Sequence, residues 1–291
     1  MLSLSFASLW HRQDSALGAT SPSSDGGFSP PHPSPLPQMR RVGYSGDESI
    51  EELVVLLASR DASAADKELA ARHLGYVSHV DGEAVDARIV AAGAVPPLVA
   101  LLGNGPAGAA EQAAATLRNL LSGSEERKEA VLSAGALPAL VAMLGNARRP
   151  GAFEQAAAAL AGLCAGSADR KAAAAAAGAP AALVQALSVH LNLSAQCQCV
   201  GALRNMANGG AGCADAVAES GGVAVLEGVL SSVASPHQAR AHAAVALGSL
   251  ARSGGRAARA ALEQSHVRQF LESRAAEGLA EATSALRHFN F

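Results

Sequence analysis

Four cysteines, Cys164, Cys197, Cys199 and Cys213, are the residues of this chain best suited to hold a metal or a redox couple. Cys197 and Cys199 are two apart, which on a helix points their side chains in different directions. No paired C-x-x-C elements at zinc spacing accompany them, so they read as small apolar residues in a reduced compartment. The nine histidines are scattered, and His73 and His79, six apart, have poor helical spacing for a shared ion. Gly103-Asn104-Gly105-Pro106-Ala107-Gly108 satisfies a G-x-G-x-x-G string. A dinucleotide fingerprint needs a preceding strand in a βαβ unit, and here the string joins two helical segments. The corresponding loop one period later, Gly145-Asn146-Ala147-Arg148-Arg149-Pro150, loses the pattern. No Ser/His/Asp set has a recognisable nucleophile elbow. The expectation is therefore a chain with no cofactor, no metal and no enzyme active site.

What positions every other residue is an internal repeat. Ala92-Gly93-Ala94, Ala134-Gly135-Ala136, Ala177-Gly178-Ala179 and the looser Ser220-Gly221-Gly222 place their glycines 42, 43 and 43 residues apart. A fixed period in the forties points to a solenoid, in which each unit packs only on its neighbours. Within a unit the pattern predicts three helices. A short one ends at the glycine, as Val85–Ala91 and Glu126–Ser133 do, the latter capped by Ser124, with Ser167 as the next cap. A second opens near a proline, Pro96, Pro138 or Pro180, and carries a Leu/Val face. A longer third runs from about 109 to 121, 154 to 164, 196 to 207 and 238 to 250. Acidic Glu51-Glu52 ahead of Leu53–Leu57, and then 67–77, predict an incomplete first unit. Full units fall at about 82–122, 123–166, 167–209 and 210–252, and 253–291 is a shortened last one with Ser265 in the glycine slot.

Composition limits the partners. Hydrophobic residues make up 49% of the 291, yet aromatics are only 3%, so the apolar content is largely alanine, a strong helix former. A formal charge of −3 argues against a general nucleic-acid binder. No run of about 20 strongly apolar residues suggests a membrane span, and nothing signals oligomerisation. Residues 1–46 carry Ser21-Pro22, Ser29-Pro30-Pro31 and Ser34-Pro35-Leu36-Pro37 and read as a disordered tail. A targeting peptide and a regulatory or recognition tail remain alternatives. The expected compartment is cytoplasmic or nuclear, with organelle import through residues 1–46 left open.

The period, the three helices and the Ala-Gly-Ala-[Val/Leu]-Pro-x-Leu-Val junction resemble the armadillo repeat. The third-helix signatures agree: Glu111-Gln112 to Leu117-Arg118-Asn119-Leu120, Glu154-Gln155 to Leu160-Ala161-Gly162-Leu163, and Val200-Gly201-Ala202-Leu203-Arg204-Asn205-Met206. The resemblance covers about residues 50–291. It implies an all-α, right-handed solenoid superhelix whose third helices line a concave groove for extended peptides or disordered partner segments. It also implies that an asparagine two residues after the third-helix leucine bonds a peptide backbone.

That asparagine maps onto Asn119 and Asn205. The equivalent places elsewhere are Tyr76, Gly162, Ser249 and His288, so the row is interrupted. The alternative is that both asparagines bond a neighbouring loop. Arg118 and Arg204 precede them, and Gln112, Gln155 and Gln198 recur earlier on the same helices. These residues and Ser249 are the candidate groove contacts. Replacing both asparagines with alanine is expected to weaken a partner while leaving melting unchanged. Importin alpha has a tryptophan four residues before the asparagine; here those places hold Ala115, Ala158, Gly201 and Val245, which speaks against an import receptor for basic signals. The leading expectation is a non-enzymatic scaffold for protein partners. A substrate adaptor for ubiquitin ligation and an organelle-tethering or nuclear-transport adaptor are the alternatives.

Overall fold

A computed structural model describes residues 49–145, 150–189 and 192–289. The expectations for residues 1–46 and for the Asn146–Arg149 loop lie outside them. Among the described residues there are 17 helices and no strands. The first two are α1 (Ile50–Ala58) and α2 (Ala64–Asp81). Four three-helix units follow: α3 (Glu83–Ala91), α4 (Val95–Asn104) and α5 (Ala107–Leu120); α6 (Glu125–Ser133), α7 (Ala136–Leu144) and α8 (Pro150–Leu163); α9 (Ala168–Ala176), α10 (Ala179–Leu187) and α11 (Leu193–Ala207); α12 (Ala211–Glu219), α13 (Gly222–Ser231) and α14 (His237–Ser253). The last unit also has three, α15 (Arg256–Glu263), α16 (Val267–Ala276) and the seven-residue α17 (Ala280–Leu286).

Third helices start earlier than the alanine and leucine pattern predicts, and the reason is local. Pro106 and Pro236 sit at the N-cap of α5 and α14, and Asn192 caps α11 by accepting from the Ala195 N–H at 2.6 Å. α2 gains a turn from a capping box between Ser63 and Asp66. The junction after α3 works as a Schellman stop. Gly93, at φ 82°, donates its N–H to Val90, and the Ala94 N–H donates to Ile89. The chain then re-enters a helix 80° away. Gly135, Gly178 and Gly221 repeat the left-handed turn.

Burial follows the period. Leu98, Leu140, Leu183, Leu226 and Leu271 recur on successive second helices, and all are wholly buried. Leu74, Leu117, Leu160, Leu203 and Leu247 do the same on third helices. Each contributes about 1.5–3 kcal/mol of transfer free energy. Third helices pack on one another more extensively than second helices do. No single described helix is long and apolar enough to cross a membrane.

One repeated device was invisible in the spacing. Arg170, at 2% exposure, lies on α9 and donates to the Leu163 and Ala165 carbonyls at 2.8 Å, closing the C-terminus of α8. It also reaches Glu125 and Glu129 of the preceding unit at 2.6 and 2.7 Å. Arg127 does likewise for the end of α5, with Asp86 and Glu83 as its acids. One buried guanidinium thus joins a third helix, the next first helix and the unit before.

Candidate functional site

Third helices α2, α5, α8, α11, α14 and α17 form one row, and the site is built from positions that recur along it. Near their N-terminal ends stand Glu68, Glu111 and Glu154. The carboxylates of Glu68 and Glu111 occupy the space a Cβ would take at Gly108 and Gly151 of the next third helix. The next unit has Ser194 in that place, and its hydroxyl donates to Glu154 at 2.7 Å. These acids therefore serve the seam between units.

One residue further on is a row of Gln112, Gln155, Gln198 and His242. The Arg118 Nη1 donates to Gln155 Oε1 at 2.6 Å. Gln112 and Gln198 have no such donor, because the preceding unit has Gly75 or Ala161 at the arginine position. Their half-buried side-chain amides make no hydrogen bond among the described residues. His242 lies opposite Arg204. Its imidazole covers the slot at Gly201, with Nδ1 3.5 Å from where a Cβ would stand, and that buried Nδ1 has no hydrogen-bond partner. Burial, reinforced by the Arg204 charge, pushes the His242 imidazole down to about 4.

Near the C-terminal ends, Asn119 Nδ2 donates to the Gly75 carbonyl at 3.0 Å and Asn205 Nδ2 to the Ala161 carbonyl at 2.8 Å. Their Oδ1 atoms accept from Arg118 and Arg204 of the same helix. Each asparagine thus binds the body of the preceding third helix, rather than a loop, and keeps one Nδ2–H. Burial holds the Arg204 guanidinium below the usual arginine range; it does the same to Arg118, where the Glu154 charge opposes it.

The interrupted row is an alternation. Going along the stack, the positions read Gly75-Tyr76, Arg118-Asn119, Ala161-Gly162, Arg204-Asn205, Gly248-Ser249 and Arg287-His288. A small residue in one unit leaves its carbonyl open to the asparagine of the next. The signal lay in the dipeptides, since each equivalent pair is 43 or 44 residues on as far as Gly248-Ser249, and the last, in the shortened unit, is 39 on.

Between the C-terminal ends of α11, α14 and α17 the row opens into a cavity of about 530 Å³. Arg204, Asn205, Ser249 and Val245 line it, with Lys171 from α9 and Glu281 from α17. Ser249 is buried, at 4% exposure, and contributes wall more than a reachable hydroxyl. The structure therefore brings Arg204, Asn205 and Ser249 to one cavity, whereas Arg118, Asn119, Gln112 and Gln155 lie outside its lining. Among the described residues no three His, Cys, Asp or Glu side chains are placed to hold a metal ion.

The model of the armadillo/beta-catenin-like repeat matches residues 87–122. Solved structures extend the likeness over most of the chain. A computationally designed armadillo repeat protein for modular peptide recognition superposes with a TM-score of 0.75 at 25% identity, over 83% of this chain and 100% of that one. The chain has the armadillo-repeat fold. An engineered protein is 29% identical, with a TM-score of 0.74, over 83% of this chain and 94% of that one. A designed armadillo repeat protein in complex with the peptide (KR)4 is 25% identical, with a TM-score of 0.74, over 84% of this chain and 100% of that one. No curated protein matches the chain in sequence. The armadillo architecture accounts for the three-helix unit, its glycine stop and the row of third helices.

Proposed function

We propose that this protein is a non-enzymatic scaffold that binds an extended segment of another protein along its third helices. The observation that carries the reading is the pair of unpaired amides at Gln112 and Gln198, two units apart on one face. A half-buried amide that bonds no other described residue keeps its donors and acceptor for an incoming chain, and an extended backbone offers it both an acceptor and a donor. Third helices about 8–10 Å apart and a chain rising about 3.3 Å per residue bring equivalent groups into register every few residues. The remaining Nδ2–H of Asn119 and of Asn205 adds a donor on either side. The similar design solved with the (KR)4 peptide supports peptide capture by such a surface.

The test uses affinity capture with the full chain, followed by binding measurements on the partner segment recovered. Gln112→Leu with Gln198→Leu removes the two amides without breaking an internal hydrogen bond. Binding should weaken about tenfold or more while the melting temperature holds. A tight partner that binds this variant as well as the original chain would remove the groove from the explanation.

A further inference from the structure

The cavity at the end of the row has an unusual charge balance. Lys171, Arg204 and Arg252 converge on it, and Glu281 is the one carboxylate in its lining. None of the three cations makes an ion pair among the described residues. The Lys171 Nζ donates to the Asn208 carbonyl at 3.2 Å, Arg252 Nη2 to Asn208 Oδ1 at 2.9 Å, and Arg204 to Asn205 Oδ1 at 3.0 Å. Elsewhere in the fold, buried arginines are neutralised: Arg127 by Asp86 and Glu83, Arg170 by Glu125 and Glu129. Lys128, which holds the place of Lys171 one unit earlier, is paired with Glu125 at 2.7 Å. Cations near helix C-termini offset the helix dipole, which explains part of this cluster. It does not explain why Lys171 lacks the acid that Lys128 has, Ala168 standing where Glu125 does one unit earlier. The acceptors already used are neutral, and each arginine has five N–H donors, so donors remain for an anion.

We propose that this cavity receives an aspartate or glutamate side chain of an extended protein segment lying in the groove; the proposal rests on the groove reading above. Three cations against one acid leave two positive charges in a half-enclosed space, where an incoming carboxylate is held more strongly than in open water. The neutral bonds to Asn208 keep Lys171 and Arg252 in place before the partner arrives, so little ordering is needed on binding. A basic segment of the (KR)4 type meets like charge here.

Fluorescence anisotropy on the full chain tests this with three labelled peptides of equal length, each spanning three repeats: alternating Glu and Ser, alternating Gln and Ser, and alternating Lys and Arg. The Glu peptide should bind at least about tenfold more tightly than the Gln peptide, with the preference shrinking as salt rises. Arg204→Gln with Arg252→Gln should erase that preference. Glu281→Gln, which removes no cation, should tighten the Glu peptide about threefold. Equal binding of the Glu and Gln peptides, or an unchanged preference in the arginine variant with its melting intact, overturns the acid site and leaves the groove reading standing. Displacement by inorganic phosphate at the peptide's own concentration overturns it as well, in favour of a free-ion site. Failure of all three peptides to bind sinks the groove reading and this proposal together.

Discussion

The side-chain amide of Asn205 on α11 donates to the carbonyl oxygen of Ala161 on α8 at 2.8 Å, crossing from one armadillo unit to the one before it. Asn119 and Gly75 repeat the bond at 3.0 Å, two units earlier. An asparagine in this family's groove position therefore has a structural duty in this chain before any partner arrives. Its Oδ1 orients the arginine beside it, and its Nδ2 adds a second bond to a carbonyl inside the neighbouring helix.

That relationship revises the expectation that the asparagines could be removed without affecting melting. Asn119→Ala and Asn205→Ala should each cost about 1 kcal/mol, the net worth of one hydrogen bond, since each carbonyl keeps the bond within its own helix. Urea midpoints of the two single variants measure it. Unchanged midpoints would mean that these bonds do not persist in solution.

Arg170 bridges the seam between its unit and the preceding one with four hydrogen bonds. Burial alone would pull its guanidinium down, but bonds to Glu125 and Glu129 outweigh it and hold the group above the usual arginine range. Arg170→Met leaves the Leu163 and Ala165 carbonyls without their donor and should cost about 1–3 kcal/mol. Arg170→Lys should recover only part of this, because an ammonium cannot match a fork that serves two carbonyls and two carboxylates. Chemical denaturation of both variants decides the matter, and a loss under about 1 kcal/mol in the methionine variant contradicts it.

Acid should weaken the fold in two windows. The His242 pKa is lower in the folded chain than its ordinary 6.5, so its contribution is present above that value and is lost as pH falls from about 6.5 toward about 4. The loss should reach on the order of 2–3 kcal/mol at the acid end. His242→Gln restores the residue found at this position in three other units and should flatten that limb. Bonds from Lys128 and then Arg170 hold the Glu125 carboxyl below its ordinary 4.5, so its contribution vanishes only as pH falls further. Glu125→Gln should blunt that lower limb. Stability profiles from pH 8 to pH 3 separate the two, and a His242→Gln profile that matches the original chain refutes the first.

The thiols should be slow to react. All four are buried, and burial pushes Cys164 up to about 12 and Cys199 higher still. Thiolate is the reactive species, so a disulfide reagent at pH 8 should modify the native chain only as fast as it opens. Denatured chain should titrate four thiols at once. A rapid native phase from any of them contradicts the burial.

The scaffold was legible in the sequence because its signals are local. Glycine stops, serine caps and leucines at a fixed period are decided within one unit, and Gly135, Ser124 and Leu140 announce themselves. The third-helix positions were legible only as a row of places. What fills them depends on pairs 37 to 45 residues apart, such as Arg118 with Gln155 or Arg170 with Glu125, and each partner is unremarkable alone. The small/arginine alternation could have been read by comparing adjacent units. The cation excess at the end of the row could not, since Lys171, Arg204 and Arg252 come from three different helices.

Two glycines should fail for different reasons, and the contrast tests the reading of the junctions. Gly135 has φ 77° and nothing within 4 Å of where its Cβ would stand. Gly135→Ala should cost about 1–2 kcal/mol from backbone strain alone, and Gly135→Asn less, because asparagine tolerates the left-handed region. Gly248 needs no special backbone, but a Cβ there would stand 2.9 Å from Cα of Ala285 on α17. Gly248→Ala should push the last unit away, costing about 1–3 kcal/mol. Because units in a solenoid depend on their nearest neighbours, that loss should appear first as faster amide exchange in α15–α17. Gly135→Ala should instead loosen the middle of the stack. Hydrogen exchange on the two variants distinguishes the patterns, and uniform protection loss in both would show that the array unfolds as one unit.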